Sequence, residues 1–167
     1  AQVLASAPAK NAVDDTLQLL RRIFPQSDIT LNRNAAVILQ LPDRITPATA
    51  GKVPDQCYRW RSRCQGARTV LQLHATSPEG VSAGLYGLLQ EQLKIRFVHP
   101  RQTIFPHYRT WPLPAVFSFS GQPRFLHQGF HLHTLHPMEL TEQLHDPLRP
   151  GAFEDVTAYL DWLVRNG

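Results

Sequence analysis

The sequence predicts an α+β fold, a sheet with helices packed on one face, followed by an incomplete β/α-barrel start. Residues 68–75 alternate apolar and polar side chains, which is the period of a strand buried on one side. A capping signal and an apolar stripe at helical spacing follow directly. Nearer the C-terminus, a second alternating segment, a polar loop and an amphipathic helix form one β/α unit. We therefore predict two domains, residues 1–122 and residues 123–167.

The N-terminal part of the chain predicts one helix and one strand. Apolar side chains recur at helical spacing over about residues 12–24, with Asn11 as a candidate cap and two aspartates near the positive end of the helix dipole. Pro25 ends this helix, because proline cannot continue it. The short apolar segment 36–41 favours a buried strand, since it is too brief for a helix.

The clearest helix is predicted to begin after Ser77, a preferred capping residue, with Pro78 at the first helical position. Its buried stripe consists of Val81, Leu85, Leu88, Leu89 and Leu93. Gly84 and Gly87 each cost a helix about 1 kcal/mol relative to alanine. We therefore expect these two glycines to allow close packing against another backbone.

The remaining segments predict short strands, a connector and a last helix. Residues 95–98 form a short strand, and residues 100–123 are rich in Pro, Phe and Tyr without a helical period, which indicates extended chain. A strand is predicted within residues 125–135. A helix is predicted over residues 153–164, where apolar residues again follow helical spacing.

Composition and charge exclude two classes of partner. With 43% hydrophobic and 18% charged residues the chain is an ordinary folded protein, and its net charge of +4 is spread out rather than concentrated. The densest basic group consists of Arg59, Arg61, Arg63 and Arg68. It alternates with Tyr58 and Trp60, so we interpret it as the solvated face of a strand or extended loop rather than a polyanion site. No apolar run spans a membrane. We predict neither nucleic acid nor a membrane as partner.

Cys57 and Cys64 are the two cysteines of the chain. Their spacing is compatible with a small disulfide loop and matches no paired metal-ligand pattern. Free thiols and a bridge both remain open at this point. A bridge would require an oxidising compartment, and the predicted location is periplasmic or secreted.

A family resemblance lies in residues 74–106, which read HATSPEGVSAGLYGLLQEQLKIRFVHPRQTIFP. They resemble the N-terminal domain that precedes the catalytic barrel in β-N-acetylhexosaminidases, α-glucuronidases and related glycoside hydrolases. In that family a small-residue turn, a Gly-x-x-x-Gly-x-Tyr-x-Leu-Leu helix and a strand ending in proline follow one another. The corresponding helix residues here are Gly80, Gly84, Tyr86, Leu88 and Leu89. The resemblance implies a sheet like that of hexosaminidase domain 2.

A second match lies in the C-terminal unit. Residues 123–130 resemble the entry into the first barrel strand, with Gln128 where an arginine is usual. That arginine helps to hold the sugar in hexosaminidases, so the resemblance implies a substrate contact at Gln128. Residues 161–166 resemble the first barrel helix.

Histidines are concentrated in the same unit, at His127, His131, His133, His136 and His145. His131 and His133 share one face of the predicted strand. We predict that these two and His136 line a sugar cleft, because imidazole offers hydrogen bonds and a stacking surface to a glycan. A metal site remains an alternative, since two imidazoles on one face can bind zinc. Simple partial exposure is the third interpretation.

Catalytic residues are predicted to be absent. Glycoside hydrolysis usually needs two carboxyl groups across the scissile bond, and a barrel of about 250 residues supplies them from the ends of its strands. The resemblance implies that they come from strands beyond the first. We therefore predict a non-catalytic N-terminal domain of a carbohydrate-active glycoside hydrolase, inactive as this fragment and without a cofactor.

Two other functions remain open, a free-standing carbohydrate-binding or interaction module and a fragment of a metal-dependent amidohydrolase-like barrel. The predicted partner is a carbohydrate, bound through the complete protein. Exposed strand edges pair readily, so the unfinished strand at residues 130–135 is expected to be covered by the helix, by a neighbouring molecule through self-association, or by disorder.

Overall fold

The computed structural model describes residues 6–30, 35–46, 55–122 and 152–167. In chain order the elements are α1 (Ala7–Ile23), β1 (Val37–Gln40), β2 (Tyr58–Gln65), β3 (Arg68–Ala75), α2 (Pro78–Gly87), a π-helical segment (Leu88–Gln92), β4 (Arg96–His99), β5 (Gln102–Ile104), β6 (Ser118–Gly121) and α3 (Ala152–Asn166). This mixture of helices and small sheets confirms the coarse α+β class. The strand predicted to open a barrel, at residues 125–135, lies outside the described residues.

The chain divides into two compact units. The first contains Ala1–Ile95 and Phe105–Leu126, and the second contains Arg96–Ile104 and His127–Gly167. Residues 96–104, which the sequence assigns to the N-terminal domain, thus belong with the second unit. Within the described residues no helix is both long enough and apolar enough to cross a membrane.

The first unit is built on a four-stranded sheet with the order β1-β3-β2-β6. β1 runs parallel to β3, and β2 runs antiparallel to both of its neighbours. The β2–β3 hairpin turns at Gly66, whose φ of 61° favours glycine. One face of the sheet is apolar because alternate residues are Trp60, Leu71 and Leu73, and α2 packs against β2 and β3. Trp60 pairs with Leu73 across the strands.

The α2 helix begins as predicted. The Ser77 side chain accepts a hydrogen bond from the Gly80 amide at 2.9 Å, and Pro78 follows the cap. The predicted single helix is α-helical only to Gly87 and then widens into the π-helical segment. A reversal follows at Lys94, where φ is 57°.

The glycines of α2 do allow close packing, but the predicted partner is wrong for two of them. A Cβ at Gly84 would lie 2.7 Å from Leu73 Cδ1, and a Cβ at Gly87 would overlap the Tyr58 phenol. Both glycines therefore meet side chains of the sheet rather than backbone. Only at Gly80 is the close neighbour a backbone group, since a Cβ there would lie 3.0 Å from two carbonyl oxygens.

The α1 helix starts earlier than the sequence predicts. It begins at Ala7 with Ser6 at the capping position, so that Asn11 lies inside the helix and the predicted cap there is wrong. The reason is that Ala9 and Ala12 are buried and extend the apolar face by a turn, while alanine favours helix strongly. α1 packs against α2, and the Tyr86 hydroxyl of α2 donates to Asp15 Oδ2 of α1 at 2.9 Å.

The second unit contains the β4–β5 hairpin and α3, the helix predicted near the C-terminus. Trp162 Nε1 donates to the Phe97 carbonyl of β4 at 2.8 Å, and Arg101 forms an ion pair with Asp155. Tyr159 of α3 is buried, which raises the pKa of its hydroxyl. These contacts hold α3 to the hairpin.

Candidate functional site

The substrate-binding residues predicted from the sequence fall outside the described residues. They are Gln128, His131, His133 and His136. The strand expected to mediate self-association, at residues 130–135, lies there too. These expectations stay predictions.

The cysteines do not form a disulfide. Cys57 and Cys64 are both free. Cys57 directly precedes β2 and Cys64 lies near its other end, so their Cα atoms are seven steps of extended chain, or about 23 Å, apart. A disulfide requires Cα atoms within about 7 Å of each other. Of the two alternatives that the spacing left open, the structure has the free thiols.

A polar cluster joins the start of β2 to the start of α2. We call it the Asp55 clasp, and it consists of Asp55, Cys57, Thr76 and Ser77. Thr76 Oγ1 donates to Asp55 Oδ2 at 2.6 Å, and the Cys57 amide donates to Asp55 Oδ1 at 2.9 Å. The Ser77 hydroxyl, besides capping α2, donates to the Asp55 carbonyl. Each donor thereby meets an acceptor of Asp55.

The clasp is suited to structure rather than to acid or thiol chemistry. The hydrogen bond from Thr76, followed by those from Cys57, lowers the pKa of the Asp55 carboxyl. The hydrogen bond with Asp55 and then burial raise the pKa of the Cys57 thiol. A general acid needs a proton near neutral pH and a nucleophilic cysteine needs a thiolate, so both shifts run in the wrong direction. The clasp fixes α2 to the sheet.

The other face of the sheet is positively charged and mostly polar, but it also contains Ile38 and the buried Val70, which lies opposite Arg63. We call its polar part the basic sheet face, formed by Arg59, Arg61, Arg63, Gln40, Gln72, His74, Ser118 and Ser120. The three arginines are exposed and occupy alternate positions of β2, as the sequence-based interpretation of a solvated strand face predicted. Strand register places His74 opposite Arg59, and Gln72 opposite Arg61.

The edge strands complete this face. Ser120 lies opposite Arg59 and Ser118 opposite Arg61 on β6. On the far side, Arg63 Nη2 donates to Gln40 Oε1 of β1 at 3.4 Å. None of the residues in these four strands is acidic. The guanidinium groups thus share a surface whose strands supply no neutralising carboxylate.

Trp60 and Trp111 have rings of the kind that can stack on sugars, but both pack internally. Trp60 has no exposed surface, and its Nε1 donates to the Gly84 carbonyl at 2.8 Å. The Trp111 ring stacks on Phe24 with centroids 5.8 Å apart. Both rings are therefore used in internal contacts.

Metal ligation finds no support in the part of the chain that the structure describes, where no three His, Cys, Asp or Glu side chains group together. Comparison with known proteins gives no match to a family model, to a curated protein or to a solved structure. The functional argument therefore depends on the residues themselves.

Proposed function

We propose that this chain is a non-catalytic N-terminal domain of a carbohydrate-active glycoside hydrolase that acts on oligosaccharides or polysaccharides. The observation that carries the proposal is the β3–turn–α2 unit, in which the residues of the sequence resemblance have specific packing roles. The turn after β3 caps α2 through Ser77, and α2 lies on the sheet through its glycines. Helices on one face of a sheet are what the resemblance implies.

The motif residues of α2 support this interpretation one by one. Gly80 approaches the Asp55 and Cys57 carbonyls, and Gly84 approaches Leu73. The Tyr86 hydroxyl is hydrogen-bonded to α1. The two leucines that end the motif have no exposed surface. A match in which every residue has a packing role supports a shared architecture better than a chance similarity of composition.

Three carboxylates of the first unit, Asp14, Asp15 and Asp55, support a non-catalytic role. Glycosidases use a carboxyl group whose pKa is raised so that it can donate a proton near neutral pH. The pKa of Asp55 is instead lowered by its hydrogen bonds. Asp15 accepts a hydrogen bond from Tyr86, and Asp14 pairs with Lys10 at 2.6 Å. These acids are used in structural contacts.

The natural reading frame beyond the codon for Gly167 tests the proposal. We expect it to encode further alternating strands and helices, with Asp or Glu at the C-terminal ends of strands, because a barrel places its reactive groups there. A different kind of downstream domain, such as a DNA-binding module, would reject the proposal.

A free-standing carbohydrate-binding module is the second candidate. The basic sheet face favours it, because its exposed arginine and serine side chains and its half-buried glutamines can contact a ligand without any help from a barrel. In that case glycan binding would be retained while the downstream sequence would contain no hydrolase.

A further inference from the structure

We propose that the basic sheet face is a binding site for a carboxylated glycan, that is, an oligosaccharide or polysaccharide containing uronic acid residues. The inference rests on the proposed carbohydrate-related function and adds to it a place on the molecule and a class of ligand. It replaces the sequence-based expectation that these arginines form a solvated face and not a polyanion site. The site lies on the accessory sheet, and none of its residues belongs to the sugar cleft predicted from the histidines.

The arrangement of the arginines matches a row of carboxylates. Alternate residues of a strand point to the same face, so Arg59 and Arg63 lie about 13 Å apart with Arg61 between them. A guanidinium group is planar and donates two parallel hydrogen bonds to a carboxylate. A linear ligand with several carboxylates can therefore pair a different carboxylate with each arginine.

The neighbouring side chains match sugar hydroxyls. Exposed Ser118, Ser120 and His74, together with half-buried Gln72, offer both donors and acceptors beside Arg59 and Arg61. A hydroxyl group needs both kinds of partner, whereas a phosphodiester backbone presents acceptors alone. The mixture thus fits a polyhydroxylated ligand better than it fits a nucleic acid.

The aromatic residues of the sheet point away from this face. Trp60 and Tyr58 alternate with the arginines and therefore lie on the α2 side, where Trp60 is fully buried. Single-stranded nucleic acids bind through bases stacked on exposed aromatic rings combined with a basic groove. With the charge but without the rings, the face meets only part of that requirement, which again favours a glycan.

The ligand is expected to bind weakly and with a strong dependence on salt. The arginines are exposed, and contacts between exposed charges are screened within about 10 Å at 0.1 M ionic strength. Several contacts along one polymer compensate for the weakness of each. Avidity along a polysaccharide suits a domain that keeps a protein near its substrate.

The test is a calorimetric titration of the chain with oligogalacturonate at 50 mM NaCl. The variant R59Q/R61Q/R63Q should raise Kd by about tenfold or more, since each exposed charge contact contributes a factor of roughly two to five. The matched control R44Q/R96Q/R109Q also loses three positive charges, but from exposed positions outside the four-stranded sheet. Its Kd should rise less than about threefold, because only the net charge changes.

A lysine variant separates charge from geometry and also guards against misfolding. R59K/R61K/R63K keeps the charge but loses the planar fork, so its Kd should lie between those of the wild type and the glutamine variant. Circular dichroism checks that all variants are folded. The proposal would be refuted if oligogalacturonate gave no saturable heat, or if the glutamine variant and the control lost affinity equally. Tighter binding of a single-stranded DNA or of poly-glutamate than of the glycan would also refute it.

The outcome is separable from that of the proposed function. Glycan binding by the basic sheet face without a downstream hydrolase would keep the site and reject the hydrolase assignment. A downstream barrel without binding at this face would do the reverse.

Discussion

Gly87→Ala tests how α2 is seated on the sheet. A Cβ at Gly87 would overlap the Tyr58 hydroxyl and lie 2.6 Å from Cζ of the same ring. The ring cannot simply turn away, because a Cβ at Gly121 would also overlap it, which shows that the phenol fits between two glycines. Its half-buried position also raises the pKa of the Tyr58 hydroxyl, mainly through desolvation.

The size of the effect follows from two opposing contributions. Alanine in place of glycine favours a helix by about 1 kcal/mol. Overpacking this contact should cost about 2–3 kcal/mol, the upper part of the usual range for overpacking, because the Tyr58 ring is confined. We therefore expect Gly87→Ala to lower the free energy of unfolding by about 1–2 kcal/mol, although helix propensity alone predicts an increase.

A double-mutant cycle isolates this contact. In a Tyr58→Val background the obstructing ring is gone, so Gly87→Ala should stabilise the protein by about 1 kcal/mol, and the coupling energy should be about 2–3 kcal/mol. The control is Gly84→Ala, which meets Leu73 Cδ1 and should remain destabilising in both backgrounds. Urea unfolding followed by tryptophan fluorescence gives the free energies. A cost of Gly87→Ala that is the same with and without Tyr58 would refute the packing argument.

Three further predictions concern the Asp55 clasp and its neighbours. Ser77→Ala should cost about 1–2 kcal/mol in urea unfolding, because the cap of α2 is lost, whereas Ser77→Thr should largely keep it. The lowered pKa of the Asp55 carboxyl stabilises the fold at pH values above its unfolded pKa of about 3.9, and this contribution to the free energy of unfolding is lost as the pH falls. In an acid titration, Asp55→Asn should not show that loss, because it has no carboxyl group to protonate. The same loss of stability on acidification in the variant and the wild type would contradict the prediction. Because the contact with Asp55 raises the pKa of the Cys57 thiol, Cys57 should react slowly with an aromatic disulfide reagent at pH 8. Cys64, measured in a Cys57→Ser variant, should react faster than Cys57, measured in a Cys64→Ser variant. The opposite order would be inconsistent with the Asp55 contact.

Local signals predict those elements whose boundaries depend on nearby residues. The strand predicted at residues 68–75 is β3 with the same bounds, because its alternation and its flanking turns are visible in one window. The Ser77 cap and Pro78 likewise define the start of α2 without reference to other segments. The start of α1 was missed, since the burial of Ala9 and Ala12 depends on what packs over them.

Contacts between distant residues are beyond such signals. Asp55 and Thr76 are 21 residues apart, and nothing near Asp55 in the sequence announces their hydrogen bond. The alternation of Arg59, Arg61 and Arg63 predicted an exposed strand face, but their neighbours on β3 and β6 depend on strand register. The partner of Gly87 was unpredictable for the same reason, since it depends on how α2 lies over β2.

Hydrolysis of chromogenic glycosides tests the central claim most directly. The chain alone and the product of the complete natural reading frame would be assayed side by side with N-acetylglucosaminide and glucuronide substrates. The account predicts hydrolysis by the complete product and none above background by the chain of 167 residues. Equal turnover by the chain alone, or no glycosidase activity in the complete product, would contradict the assignment of a non-catalytic domain in a glycoside hydrolase.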